Sequence, residues 1–83
     1  MYDNLALANA CYKAGDWPGS IAACREALRL NPDLFEARSL LVQCYLQSRE
    51  LDKADAEFQI MLHFYPASRE VWERWYEQQK QPG

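Results

Sequence analysis

Four side chains in this 83-residue chain, His63, Cys11, Cys24 and Cys44, are of types whose ordinary proton equilibria lie closest to neutral pH and that can then attack or ligate metals. A nucleophile pair needs its base within hydrogen-bond reach of the attacking group. His63 is the only histidine, and helical periodicity sets it on an outer face with no Ser or Cys placed to pair with it. The cysteine spacings match no metal motif. All three fall at apolar helix slots and read as small hydrophobes. Cys11 and Cys24 face each other across a helix pair, which leaves an 11–24 disulfide open in an oxidising compartment. Asp52, Asp55 and Glu57 make a local acidic cluster on the solvated side of a helix start, where carboxylates complement the helix dipole. The three glycines, Gly15, Gly19 and Gly83, form no phosphate-cradling loop. The expectation is no enzyme, no cofactor and no metal site.

The elements that carry these side chains repeat. Leu7 recurs as Leu41, Ala22 as Ala56, Leu28 as Leu62 and Pro32 as Pro66, always 34 residues on. Other pairs keep size or polarity: Ser20 with Ala54, Asp16 with Glu50, Leu30 with Phe64, Trp17 with Leu51. A fixed period of this length predicts stacked two-helix units whose working part is a surface.

Residues 2–14 read as a first helix on Leu5, Leu7, Ala8, Cys11 and Tyr12, stopped by Gly15. Asp16 and Trp17 form a turn, and Pro18 suits the first turn of a second helix running to about Asn31. Pro32 ends it. Asp33 and Glu36 resemble a capping box for a third helix that ends at Ser48. The turn Arg49-Glu50-Leu51 lacks glycine and is expected to be less sharply specified. A fourth helix spans about Asp52 to Tyr65, with Ala54, Phe58, Met61, Leu62 and Phe64. After Pro66, Ser68 is placed to cap a fifth helix carrying Val71, Trp72, Trp75 and Tyr76. The tail 81–83 should fray. Short loops make consecutive helices antiparallel neighbours.

Composition narrows the function classes. Hydrophobic residues make up 49% and charged residues 25%, as in a folded globular chain. A net charge of −3, with Lys and Arg spread singly, speaks against nucleic acid. No run approaches the roughly 18 apolar residues of a spanning helix, and no secretion signal precedes the first helix. A soluble chain follows, with the cytoplasm the slightly favoured compartment. The chain starts at the first slot of a unit and stops inside one, as a piece of a longer array would.

These residues resemble the tetratricopeptide repeat, whose pattern runs Trp-x-x-Leu-Gly-x-x-Tyr, then Ala-x-x-x-Phe, Ala and Pro. The first unit offers Asn4, Leu7, Ala8 and Cys11, then Ser20, Cys24, Ala27 and Pro32. The second offers Arg38, Leu41, Val42 and Tyr45, then Ala54, Phe58, Met61 and Pro66. A third begins with Trp72, Trp75, Tyr76 and Gln79. The stretch from Cys11 to Trp17 looks like the family's helix junction. The resemblance implies an all-α, helical-hairpin solenoid of five helices in a single domain over 1–83: one repeat over 1–34, a second over 35–68, and a closing helix and tail over 69–83. Val42 and Tyr76 stand where a tiny residue is usual, which implies slightly wider helix spacing. Met61 stands where a small residue is usual, an adaptable filler.

In such a fold the first helix of each unit lines a concave groove. Periodicity then assigns Tyr2, Leu5, Asn9, Tyr12 and Lys13 to the groove from the first helix. The third helix supplies Glu36, Ser39, Leu40, Gln43, Leu46 and Gln47, and the fifth supplies Glu70, Glu73, Arg74 and Glu77. The groove is apolar and aromatic at one end and acidic at the other. Asn9 and Gln43 suit a peptide backbone; Leu5, Tyr12 and Leu46 suit apolar anchors. The carboxylate clamp of chaperone-binding members is disfavoured. Asn9 and Arg74 fit it, but Leu5, Leu40 and Glu70 stand where Lys, Asn and Lys are wanted, so an anion lacks its charge-assisted donors.

The expected function is non-catalytic recognition of a protein or peptide in that groove. One alternative is a structural role. Trp72 should pack back on the second unit, while Trp75 and Tyr76 lie where a hairpin partner is missing. Either they wedge into the fourth helix and are mostly covered, or, exposed, they form a patch for homo-oligomers or docking. The other alternative, implied by the resemblance, is a small dedicated chaperone.

Overall fold

The computed structural model describes residues 3–80. Tyr2 and the tail 81–83 lie outside the described residues. The chain forms α1 (Asn4–Lys13), α2 (Trp17–Leu30), α3 (Phe35–Gln47), α4 (Leu51–Phe64) and α5 (Arg69–Lys80), with one 3-10 turn at Pro66–Ser68.

The helix ends follow from local chemistry. The Asp3 carboxylate caps α1, accepting from the Leu5 N–H at 3.1 Å. At its other end Gly15 turns left-handed at φ 78°. Its N–H donates to the Tyr12 carbonyl at 3.0 Å, and that of Asp16 donates to the Cys11 carbonyl at 2.8 Å. These two bonds make a Schellman motif, which satisfies the last carbonyls of the helix. The Asp16 side chain then caps α2, accepting from Gly19 N–H at 3.1 Å, with Pro18 in the first turn. A side chain at position 19 would crowd that carboxylate, since a Cβ there falls against Asp16 Oδ2.

The turn between α3 and α4 and the starts of α3 and α5 correct three expectations. Arg49 takes φ 63°, its N–H donates to Leu46 carbonyl at 3.1 Å, and that of Glu50 donates to Tyr45 carbonyl at 2.8 Å. The turn without glycine is therefore as sharply defined as the first, because two backbone bonds force a non-glycine residue into the left-handed region. The capping box of Asp33 and Glu36 does not form: α3 starts one residue later, behind Leu34, with no side-chain cap. Likewise Ser68 sits inside the 3-10 turn leading into α5 rather than standing as a cap before it.

Packing follows the repeat. α1 pairs with α2, α3 with α4, and α2 with α3. The first helices touch in series, α1 on α3 and α3 on α5, whereas α2 and α4 do not pack on each other. The row α1–α3–α5, the inner row of the expected groove, is thus continuous in a stack 18 Å across its thinnest direction, about two helix diameters. Leu41, Val42, Cys44, Tyr45, Cys24 and Met61 are buried in the core. Leu7, in the same slot as Leu41, is 44% exposed, because no described helix precedes α1 as α2 precedes α3. Leu30, Phe64 and Val71 are likewise exposed rather than core. Val42 is buried at the slot of Ala8, and Ala54 is buried at the slot of Ser20.

Buried polar groups stitch the units together. The Ser20 hydroxyl donates to the Ala8 carbonyl at 2.8 Å and accepts the Cys44 thiol at 3.1 Å. Arg38, in the slot of Asn4 and Trp72, is buried; it donates to Glu57 at 2.9 Å and to the Pro32 carbonyl at 2.7 Å, with its guanidinium 5.3 Å from the Phe64 ring centre. Glu57 is therefore no solvated helix-start carboxylate, and Asp55 accepts from the Tyr76 hydroxyl. Of the acidic cluster only Asp52 keeps its expected place in the exposed first turn.

Candidate functional site

Three columns of side chains cross the inner row in the 34-residue register: Leu5, Ser39 and Glu73; Asn9, Gln43 and Glu77; Tyr12, Leu46 and Lys80. Leu5, Tyr12 and Leu46 are half-buried and rest on the core, so each keeps part of its apolar surface open. Tyr12 meets Trp17 edge-on, with ring centres 5.2 Å apart. That contact fixes the tyrosine at the end of α1.

Asn9 is exposed, and its Nδ2 donates to the Leu5 carbonyl one turn back at 3.0 Å. Its amide oxygen is left as an acceptor. Gln43 donates from Nε2 to Gln79 Oε1 at 3.3 Å, joining α3 to α5. Gln79 was not among the expected groove residues; its place in the repeat signature, beside Tyr76, hid a side chain long enough to reach Gln43. Lys13 and Gln47 stand exposed at the C-terminal ends of α1 and α3, and Arg74 is exposed on α5.

Leu40 does not belong with them. It is 6% exposed and part of the core. In the register it shares a column with Ala6 and Arg74, one step away from the open columns. Tyr76 is a second correction. It is 5% exposed, its ring stacks on Phe58 at 4.2 Å and 15°, and its hydroxyl is bonded to Asp55. Contact with α4 covers the ring, so Tyr76 offers no patch. Trp75 is half-buried and meets Trp72 edge-on at 5.9 Å, while Trp72 packs back against Phe35 at 5.9 Å.

The acidic end is partly neutralised. Glu73 pairs with Arg69 at 3.4 Å and Glu77 with Lys80 at 3.5 Å. Such exposed pairs add little stability, about 0–1 kcal/mol, but they cancel local charge.

No catalytic arrangement emerges among the described residues. His63 is exposed, edge-on to Phe64. No group of three metal-ligating side chains is assembled there. The cysteines are free thiols, so the 11–24 bridge is not formed. Burial pushes the Cys24 thiol up to about 12, and also raises Cys44. Neither supplies a thiolate at neutral pH. Among the described residues no helix is long and apolar enough to cross a membrane.

A family model described as tetratricopeptide repeat matches residues 12–73. The chain belongs to that family, whose repeats generally mediate protein–protein interaction and are typically non-catalytic. No curated protein and no solved structure matches the chain.

Proposed function

We propose that this tetratricopeptide repeat protein is a non-catalytic module that receives an extended or helical peptide along the inner row α1–α3–α5. The observation that carries the reading is the set Leu5, Tyr12 and Leu46, half-buried and aligned beside the Asn9 and Gln43 amides. Apolar anchors bind side chains, and amides bind the backbone between them. The Gln43–Gln79 bond is long and exposed, so a peptide amide replaces it at small cost. Lys13, Gln47 and Arg74 border the surface as its polar rim. Leu40 supports this surface from beneath.

The test is partner capture by full-length chain carrying Leu5→Glu or Leu46→Glu. Partners identified by mass spectrometry with the unmodified chain should be lost from both variants while the helical spectrum stays unchanged. Retention of the same partners by both variants overturns the reading.

Assembly through α5 is a second reading, narrowed by the burial of Tyr76. What remains is the line Phe35–Trp72–Trp75, of which Phe35 is 42% exposed. Sedimentation over a range of concentrations decides it: a strict monomer with Trp75 shielded from quenchers excludes assembly.

A further inference from the structure

A cleft of about 670 Å³ opens on the face away from the inner row, between α2 and the start of α4, over the end of α3. It exists because the two second helices do not pack on each other. Its volume lies within the roughly 300–1,000 Å³ of ordinary ligand clefts. Trp17, Pro18 and Ile21 form an apolar wall, and Arg25, Tyr45 and Lys53 supply the polar groups.

The polar groups are donors. Arg25 donates from Nε and Nη2 to the Tyr45 hydroxyl oxygen at 3.2 and 2.6 Å. Tyr45 is 2% exposed, so its hydroxyl is held in place. With its oxygen engaged by Arg25, the hydroxyl proton has no acceptor among the described residues. Nor does Arg25 have a carboxylate partner among them. The nearby carboxylates are already taken: Glu50 holds Lys53 and the Ser48 hydroxyl, each at 3.1 Å, and Glu57 holds Arg38 at 2.9 Å. Arg25, Lys53 and Glu50 leave one net positive charge in the cleft of a chain whose total is −3. An unpaired guanidinium with free N–H groups, next to a fixed O–H, fits a planar carboxylate.

We propose that this cleft binds a peptide segment bearing an Asp or Glu carboxylate next to an apolar side chain. The carboxylate sits on Arg25 and the Tyr45 O–H, and the apolar side chain lies against Trp17 and Ile21. The site is separate from the inner row, and the two readings stand or fall independently.

The experiment titrates the ¹⁵N-labelled full chain with acetyl-Glu-Leu-Glu-Leu-amide. Saturable shifts of the Trp17 indole N–H and the Arg25 Nε–H are expected, weakening as salt is added. Acetyl-Gln-Leu-Gln-Leu-amide should give none at the same concentrations. Arg25→Gln should weaken the acidic peptide about tenfold or more. Ala22→Glu, which leaves the Arg25–Tyr45 bond in place and sets a rival carboxylate on the wall, should weaken it comparably. The proposal is overturned if Trp17 and Arg25 do not move, if the glutamine peptide binds equally, if shifts are confined to Leu5, Gln43 and Leu46, or if sodium acetate alone gives the same shifts at the same concentration.

Discussion

Gly15 and Arg49 stand 34 residues apart and adopt one backbone conformation, φ 78° and 63°, each closing a first helix with the same pair of main-chain bonds. Only the first of the two is a residue that enters the left-handed region without steric cost. Arg49→Gly should therefore stabilise the fold, by about 0.5–1 kcal/mol. Gly15→Ala should destabilise it by about 1 kcal/mol. No atom lies within 4 Å of a Cβ built at position 15, so the loss is conformational and not a clash. Urea unfolding followed by circular dichroism measures both. Opposite signs support the shared geometry; equal signs refute it.

The buried Arg38–Glu57 pair makes the second prediction. Arg38→Ala removes the ion pair, the bond to the Pro32 carbonyl and the contact with Phe64, and leaves Glu57 facing a gap. A loss of about 3 kcal/mol is expected. Glu57→Gln keeps an acceptor oxygen and should cost about 1 kcal/mol. Similar losses in both variants would mean that only the charge matters.

That pair also shows where sequence reasoning ran out. The 34-residue spacing, Gly15, Pro18 and the prolines at 32 and 66 were enough to place five helices and their order. Side-chain partners across helices were not legible. Arg38 and Glu57 look like ordinary surface charges one at a time, and only the packing of α3 on α4 brings them together. Leu40 failed for a related reason: a periodic pattern assigns a stripe, and a residue at the edge of the stripe is buried once its neighbours are in place. Tyr76 read as an orphan because its ring partner Phe58 and its hydroxyl partner Asp55 lie about twenty residues back on another helix. Most inner-row positions were legible, because one helix face needs only its own period. The cleft around Arg25 was not, since it is a gap between helices that fail to meet.

Thiol accessibility separates the three cysteines. Cys11 is half-buried, whereas Cys24 and Cys44 are fully buried with burial raising both thiols. A disulfide reagent at neutral pH should modify Cys11 first under native conditions. The other two should react only as the chain unfolds, at a rate that follows urea concentration. Three equivalent fast thiols would contradict the packing between the units.

Alkaline pH tests the same core together with the closing helix. Burial holds Cys24 near 12 against an ordinary 9.0, and burial with the Asp55 contact holds the Tyr76 hydroxyl well above the ordinary tyrosine range. Both groups keep their protons longer folded than unfolded. Their stabilisation is complete below the unfolded values and is lost as pH rises toward the folded ones, by up to ~1.4 kcal/mol per pH unit for each group. Stability should therefore fall from about pH 9 upward, first through the buried thiols Cys24 and Cys44 and then, above about pH 10, through Tyr76 and Tyr65 as well. Tyr76→Phe keeps the ring on Phe58, loses the bond to Asp55, and should cost about 1 kcal/mol at neutral pH. It should also make the decline above pH 10 shallower and leave the part that belongs to Cys24, Cys44 and Tyr65. Denaturation midpoints of both proteins across the alkaline range measure this. An unchanged slope above pH 10 in Tyr76→Phe would show that the hydroxyl is not held against α4.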